Sequence, residues 1–219
     1  MKGAIFKEIK MNIAYNMDCL EAMKEMKDNE FNLAIVDPPY GLGKRTTSGG
    51  GGKNTQSKKW NNHDWDNEIP NKEYFDELSR VSKNQIIWGA NYFKLHSYRA
   101  FIVWEKMTFI PSMSQVELAY TTFDSPGRLI KINSNQTNRI HPTQKPVLLY
   151  KWLLTNYAKQ GDKILDTHLG SGSSRIACYD LGFDFVGYEL DKDYFEAQEK
   201  RFQNHINQEA LFTPEQINF

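Results

Sequence analysis

Lys163-Ile164-Leu165-Asp166-Thr167-His168-Leu169-Gly170-Ser171-Gly172-Ser173-Ser174 is the stretch on which the reading of this chain turns. A short apolar run ends in an acid, crosses two glycines and enters a segment with helical spacing. The pattern is a strand turning directly into a helix, with Gly170 and Gly172 letting the backbone approach a ligand without Cβ interference. The next apolar run, over 184–188, ends at Glu189. If the two strands are neighbours, that acid stands beside the glycine turn, placed to accept from both hydroxyls of a ribose. Arg175 occupies the place of the third glycine of a dinucleotide fingerprint, which disfavours a dehydrogenase. The combined pattern suits a nucleoside-bearing cofactor. S-adenosylmethionine fits, with a ribose and a cation but no phosphate; the bland alternative is a tight turn that binds nothing.

Working outward, apolar runs predict buried strands over 31–36, 85–88, 101–104, 163–165 and 184–188, with 117–123 ambiguous. Helical spacing predicts helices over 18–27, 72–81, 146–158, 173–181 and 192–205, with Pro146 as a first-turn proline and Gly182 as a terminating glycine. Strand and helix alternate, so the expected class is α/β with a mostly parallel sheet, binding its ligand at the carboxyl ends of the strands. The chain has 219 residues, room for one sizeable domain or two small ones. No complete βαβ unit precedes the glycine-rich segment between Gly41 and Ile69, so that segment reads as a mobile loop of one domain.

Phe31-Asn32-Leu33-Ala34-Ile35-Val36 runs straight into Asp37-Pro38-Pro39-Tyr40. Neither proline has a backbone N–H, so the corner offers acceptors: the Asp37 carboxylate and the Pro38 carbonyl. Two fixed acceptors can grip both hydrogens of an exocyclic amino group and prepare its nitrogen to attack an electrophile. Tyr40 adds an aromatic face for an extruded base. A plain surface turn is the structural alternative. Gly41-Leu42-Gly43-Lys44-Arg45-Thr46 is not a phosphate loop, because Pro38 stands where its first glycine belongs and Arg45 where Ser or Thr must follow the lysine.

Taken together, these segments resemble the amino-group DNA methyltransferases. Asp37-Pro38-Pro39-Tyr40 is similar to their motif IV, the Asp166–Gly172 segment to motif I, and Glu189 to the motif II acid. His141-Pro142-Thr143-Gln144-Lys145-Pro146 resembles motif X, and Asn16-Met17-Asp18-Cys19-Leu20-Glu21 the motif III segment. The order, motif IV before X before I, is the permuted order of the β group. The resemblance implies a Rossmann-like, seven-stranded sheet with one antiparallel strand, 11–15 becoming its third strand and 163–165 its first. It implies S-adenosylmethionine as cofactor, held by Asp18, Cys19, Asp37, Thr143, Gln144, Lys145, Asp166, His168, Gly170, Ser171, Gly172, Ser173 and Glu189. It implies catalysis by Asp37, Pro38, Pro39 and Tyr40, and an association with restriction–modification. Asp18 also reads as a helix N-cap, and His141 as a structural or site residue alike. One departure is Thr167-His168, where the family has Pro-Phe.

The Asp-Pro-Pro-Tyr form goes mostly with adenine N6 in this family. Cytosine N4, adenine in RNA and a non-catalytic nucleic-acid-binding module are the alternatives. Carbon-5 chemistry needs a thiolate, and neither Cys19 nor Cys178 follows the required proline. The five histidines form no metal-binding pair, so no metal is expected. Net charge is zero, but the basic residues gather into two acid-free segments. Lys44, Arg45, Lys58 and Lys59 with Trp60 and Trp65, and Arg128, Lys131 and Arg139, are therefore the expected contacts to double-stranded DNA. The 124–140 segment is the expected minimal target-recognition segment. A homodimer is expected by the resemblance. With two cysteines and no apolar stretch of about 18 residues, the chain reads as cytoplasmic and not membrane-bound.

Overall fold

In the run Phe31-Asn32-Leu33-Ala34-Ile35-Val36 successive side chains point to opposite faces of a sheet, and nearly all are apolar, so both faces must be covered. The computed structural model, which describes residues 11–43, 66–95, 99–109 and 114–211, shows this arrangement. Leu33 and Ile35 join a core on one face with Trp88, Trp104, Leu149 and Phe185. Ala34 and Val36 join a second core on the other face with Met23, Leu78, Leu165 and Val186.

The strands are β1 (Asn12–Tyr15), β2 (Phe31–Val36), β3 (Ser82–Trp88), β4 (Phe101–Glu105), β5 (Val116–Thr121), β6 (Arg128–Lys131), β7 (Lys163–Asp166) and β8 (Asp184–Tyr188). The helices are α1 (Cys19–Lys24), α2 (Lys72–Val81), α3 (Val147–Tyr157), α4 (Ser173–Leu181) and α5 (Lys192–Leu211). The sheet runs β1-β8-β7-β2-β3-β5-β4-β6. All neighbours are parallel except at β5, which is antiparallel to both β3 and β4. The expected mostly parallel sheet with one reversed strand is present, with β7 in the first-strand place and β1 in the third.

The sheet has eight strands, not seven. The extra strand, β6, pairs with β4 at the edge, and the indole of Trp104 donates to the Ile132 carbonyl at 2.8 Å just beyond it. Arg128-Leu129-Ile130-Lys131 is too short and too polar to be read as a strand alone; Ile130 is buried while Leu129 stays exposed. Three local expectations also shift. The ambiguous 117–123 run is strand β5. Pro146 caps α3 from an extended backbone (ψ 140°) instead of opening its first turn. α1 stops at Lys24, short of the expected 27, with Glu25 at its C-cap; the chain then turns at Asn29 (φ 55°), whose N–H donates to the Arg80 carbonyl.

Arg175 explains the missing third glycine. Its guanidinium donates to the Asn12 side chain at 2.8 Å, lies 3.9 Å over the Phe202 ring and pairs with Glu199. It therefore ties α4 to β1 and α5.

Candidate active site

Strands β7, β8, β1 and β2 deliver their carboxyl ends to one cavity of about 510 Å³. At β7 the chain leaves through Gly170 (φ 51°) and enters α4 through Gly172 (φ 72°), backbone that other residues seldom adopt. A Cβ on Gly172 would stand 3.0 Å from the buried Gln198 side chain. Because β7 and β8 are neighbours, Glu189 reaches the turn: its carboxylate accepts from the N–H of Gly170 at 2.8 Å and of Asp191 at 2.9 Å. Each oxygen keeps a further lone pair for a ligand hydroxyl. Burial holds the Glu189 carboxyl above its usual range.

Asp166 does not line the cavity. It lies buried beneath the turn, accepting from the Ser174 hydroxyl at 2.5 Å and the His168 N–H at 3.0 Å, and burial pushes its carboxyl up to about 7. Gly172 and Ser173 likewise shape the turn from behind, Ser173 bonding to Arg201 and Ser171. Ser171 and Gly170 do face the cavity. So does His168, with Nδ1 3.0 Å from the Thr167 hydroxyl and its ring edge-on to Tyr74. Burial pushes that imidazole down to about 4, so it is neutral near pH 7. Asp18 caps α1, accepting from Leu20 N–H at 2.7 Å, and also lines the cavity. Cys19 lines it as well, and burial raises its thiol to about 12, which removes the thiolate that nucleophilic chemistry requires.

The Asp-Pro-Pro-Tyr corner opens into this same cavity, with Pro38, Pro39 and Gly170 all on its wall. Asp66, which sequence reasoning passed over, accepts from the N–H of Tyr40 at 2.6 Å and of Gly41 at 3.1 Å. With those donors taken and none on the prolines, the corner presents acceptors. The Tyr40 hydroxyl donates to Asp37 Oδ1 at 2.5 Å, and burial together with the Asp37 charge keeps that phenol protonated. One face of the Tyr40 ring is stacked on Tyr92, with centroids 4.8 Å apart, so it is a buttress as much as an open platform.

Lys145 departs from the expected cofactor contact. It lines the cavity but sends its ammonium, 2% exposed, to Asp37 Oδ2 at 2.5 Å and toward Glu117 Oε2 at 3.0 Å. Burial alone would lower its pKa; the charges of Asp37 and Glu117 outweigh it and hold Lys145 above the usual lysine range. Glu117 on β5 also pairs with Lys106 at 2.6 Å, and the two lysines outweigh its burial and hold it ionised. Its sequence signal was a lone acid inside an apolar strand, where a charge needs a partner. Thr143 donates to His141 Nδ1, while Gln144 exchanges bonds with Gln136 and accepts from Ile140 N–H. Both line the cavity, with the Gln144 side chain spent on shaping its own loop. His141 closes the wall against Tyr194, at 4.3 Å between centroids.

The expected DNA contacts are dispersed. Arg128 and Lys131 lie exposed on the edge strand β6, Lys131 pairing with Glu105 at 2.9 Å. Arg139 is half-buried and donates to the Pro142 carbonyl, holding the loop that carries Lys145. Lys44, Arg45, Lys58, Lys59, Trp60 and Trp65 lie outside the described residues. Among the described residues, no cluster of three His, Cys, Asp or Glu could hold a metal, and no helix is long and apolar enough to cross a membrane.

Comparison with known proteins agrees with this geometry. Residues 103–200 match the model of a family described as DNA methylase. The chain is 22% identical to the type II methyltransferase M.HpaI of Haemophilus parainfluenzae, over 87% of this chain and 74% of that one. It is 24% identical to the type II methyltransferase M2.DpnII of Streptococcus pneumoniae, over 87% and 89% of the two chains. Among solved structures, the fold is shared with the M1.HpyAVI–SAM complex (TM-score 0.59, 20% identity, 86% of this chain and 98% of that one). It is also shared with the cytosine-N4-specific PvuII DNA methyltransferase (TM-score 0.57, 12% identity, 89% and 91%).

Proposed function

We propose, from the match of residues 103–200 to the family described as DNA methylase and from the geometry of the cavity, that this chain methylates adenine N6 in DNA with S-adenosylmethionine. The observation that carries this reading is the shared cavity: the Pro38 corner and the Gly170 turn open into one space. The cavity fits the cofactor. Glu189 keeps lone pairs for ribose hydroxyls, the Gly170–Gly172 turn gives close backbone approach, and the neutral His168 imidazole puts no positive charge beside a sulfonium. When bound, S-adenosylmethionine supplies a methyl carbon activated by its positive sulfur.

The chain's own residues then do the rest. Glu189, Asp18 and the glycine turn hold the nucleoside end. Asp37 and the Pro38 carbonyl accept the two amino hydrogens of a flipped-out adenine, turning the nitrogen lone pair out of conjugation. The Tyr40 hydroxyl and Lys145 fix the rotamer of Asp37. Alignment within one site, without a covalent intermediate, supplies the rate. Double-stranded DNA as substrate and adenine as target are supported by the Asp-Pro-Pro-Tyr form and by the type II methyltransferases among the relatives. The exposure of Arg128 and Lys131 on β6 supports a role for them in phosphate contact. A homodimer rests on the family resemblance alone; light scattering of the purified chain decides it.

Nucleoside mass spectrometry after incubation with DNA and with RNA tests the reading. N6-methyladenine in DNA alone is the expected product. N4-methylcytosine would move the target to cytosine, and methylated RNA would move the substrate. Cofactor binding without any product would leave a binding module in place of an enzyme.

A further inference from the structure

Both oxygens of Asp37 already hold a donor: Tyr40 at Oδ1 and Lys145 at Oδ2, each at 2.5 Å. An amino group arriving at the same carboxylate must share it with them, since a donor on each oxygen leaves a single lone pair there and fixes the direction from which it can be reached. The Lys145 ammonium lies over the Trp88 ring at 5.4 Å and is almost wholly shielded from water, so it cannot retreat into solvent. Its other neighbour is Glu117 Oε2, 3.0 Å away, which is buried and has no aligned hydrogen bond. That oxygen meets only the Lys145 ammonium, as an ion pair, and a small turn of the lysine would align a full hydrogen bond to it. Glu117 Oε1 is anchored by Lys106 at 2.6 Å, which fixes the plane of the carboxylate. Two acids and two lysines balance, so handing the ammonium from one carboxylate to the other creates no net charge.

We infer that Glu117 is a positioning residue for methyl transfer, receiving the Lys145 ammonium as Asp37 turns its carboxylate to the amino group of the base. The inference rests on the reading of Asp37 as the group that grips the amino nitrogen. Lys145 is then a two-position donor. On Asp37 it keeps the acid oriented before the base arrives; on Glu117 it releases an acceptor to the substrate.

The test is Glu117→Gln, made in the wild-type chain and in Lys145→Met, with kcat, KM for DNA and cofactor affinity measured for each on duplex DNA. In the wild-type background the amide lowers kcat by about tenfold or more, with cofactor affinity within about threefold. In Lys145→Met the same change has little further effect, because no ammonium remains to be received. An unchanged kcat in the wild-type background, or an equal loss in both backgrounds, overturns the inference. If the amide does not fold, Glu117→Asp takes the same comparison, since it keeps the charge and withdraws the oxygen. An active wild type with an inactive Asp37→Ala and a silent Glu117→Gln defeats this inference alone. A wild type that transfers no methyl group defeats the reading of Asp37, and the inference falls with it.

Discussion

His168 stands where an aromatic hydrocarbon belongs in the family, and its surroundings show how the exchange is tolerated. The imidazole is neutral, its Nδ1 meets the Thr167 hydroxyl, and its edge contact with Tyr74 is one a phenyl ring can also make. His168→Phe therefore loses about one neutral hydrogen bond, worth roughly 1 kcal/mol. Calorimetry should find cofactor affinity changed by less than about tenfold; a larger change would show that His168 contacts the cofactor in a way the phenyl cannot. Asp166 gives a prediction in pH. Burial raises its carboxyl to about 7, so between about 4 and 7 the folded chain holds a proton that the unfolded chain has lost. Stability from this group is complete below about 4 and falls as pH rises to about 7. Asp166→Asn removes that dependence. Urea denaturation without added cofactor should find the variant gaining on the wild type between pH 5 and pH 8, whereas a constant difference would contradict the assignment.

Elements differ in how plainly they could be read. β2, β7 and β8 are buried on both faces, so their apolar runs stand out, and helices α1, α2 and α4 carry capping signals at Asp18, Asn71 and Gly182. β6 was illegible because its four residues gain their meaning from pairing with β4. The same holds within the site. Asp37, Gly170 and Glu189 sit at strand ends, where position alone gives them away. Asp66 meets Tyr40 26 residues away and Glu117 meets Lys145 28 residues away; a lone acid in an apolar strand shows that Glu117 needs a partner, but a single sequence does not say which. Lys145 was found as part of a motif, but its side chain goes to Asp37 because Glu117 and Lys106 complete a charge balance there. The glycine turn is the element with the least freedom. Gly172→Ala puts a side chain into left-handed backbone 3.0 Å from Gln198, at a cost of about 1–2 kcal/mol. Thermal unfolding should register that loss together with weaker cofactor binding; an unchanged melting temperature would mean that the turn relaxes freely.

At the scale of the whole molecule, chain order and spatial order are unrelated in an instructive way. The acid-bearing corner after β2 and the glycine turn after β7 are more than 120 residues apart in sequence, yet β2 and β7 are adjacent parallel strands. Sheet adjacency makes their carboxyl ends one wall, and that is what lets an amino group and a methyl donor share a cavity. The most direct test of this account is Asp37→Ala, assayed for methyl transfer to duplex DNA and for S-adenosylmethionine binding in parallel. The account predicts that transfer falls by at least about 100-fold while cofactor affinity stays close to that of the wild type. Retained transfer, with cofactor binding lost instead, would contradict it.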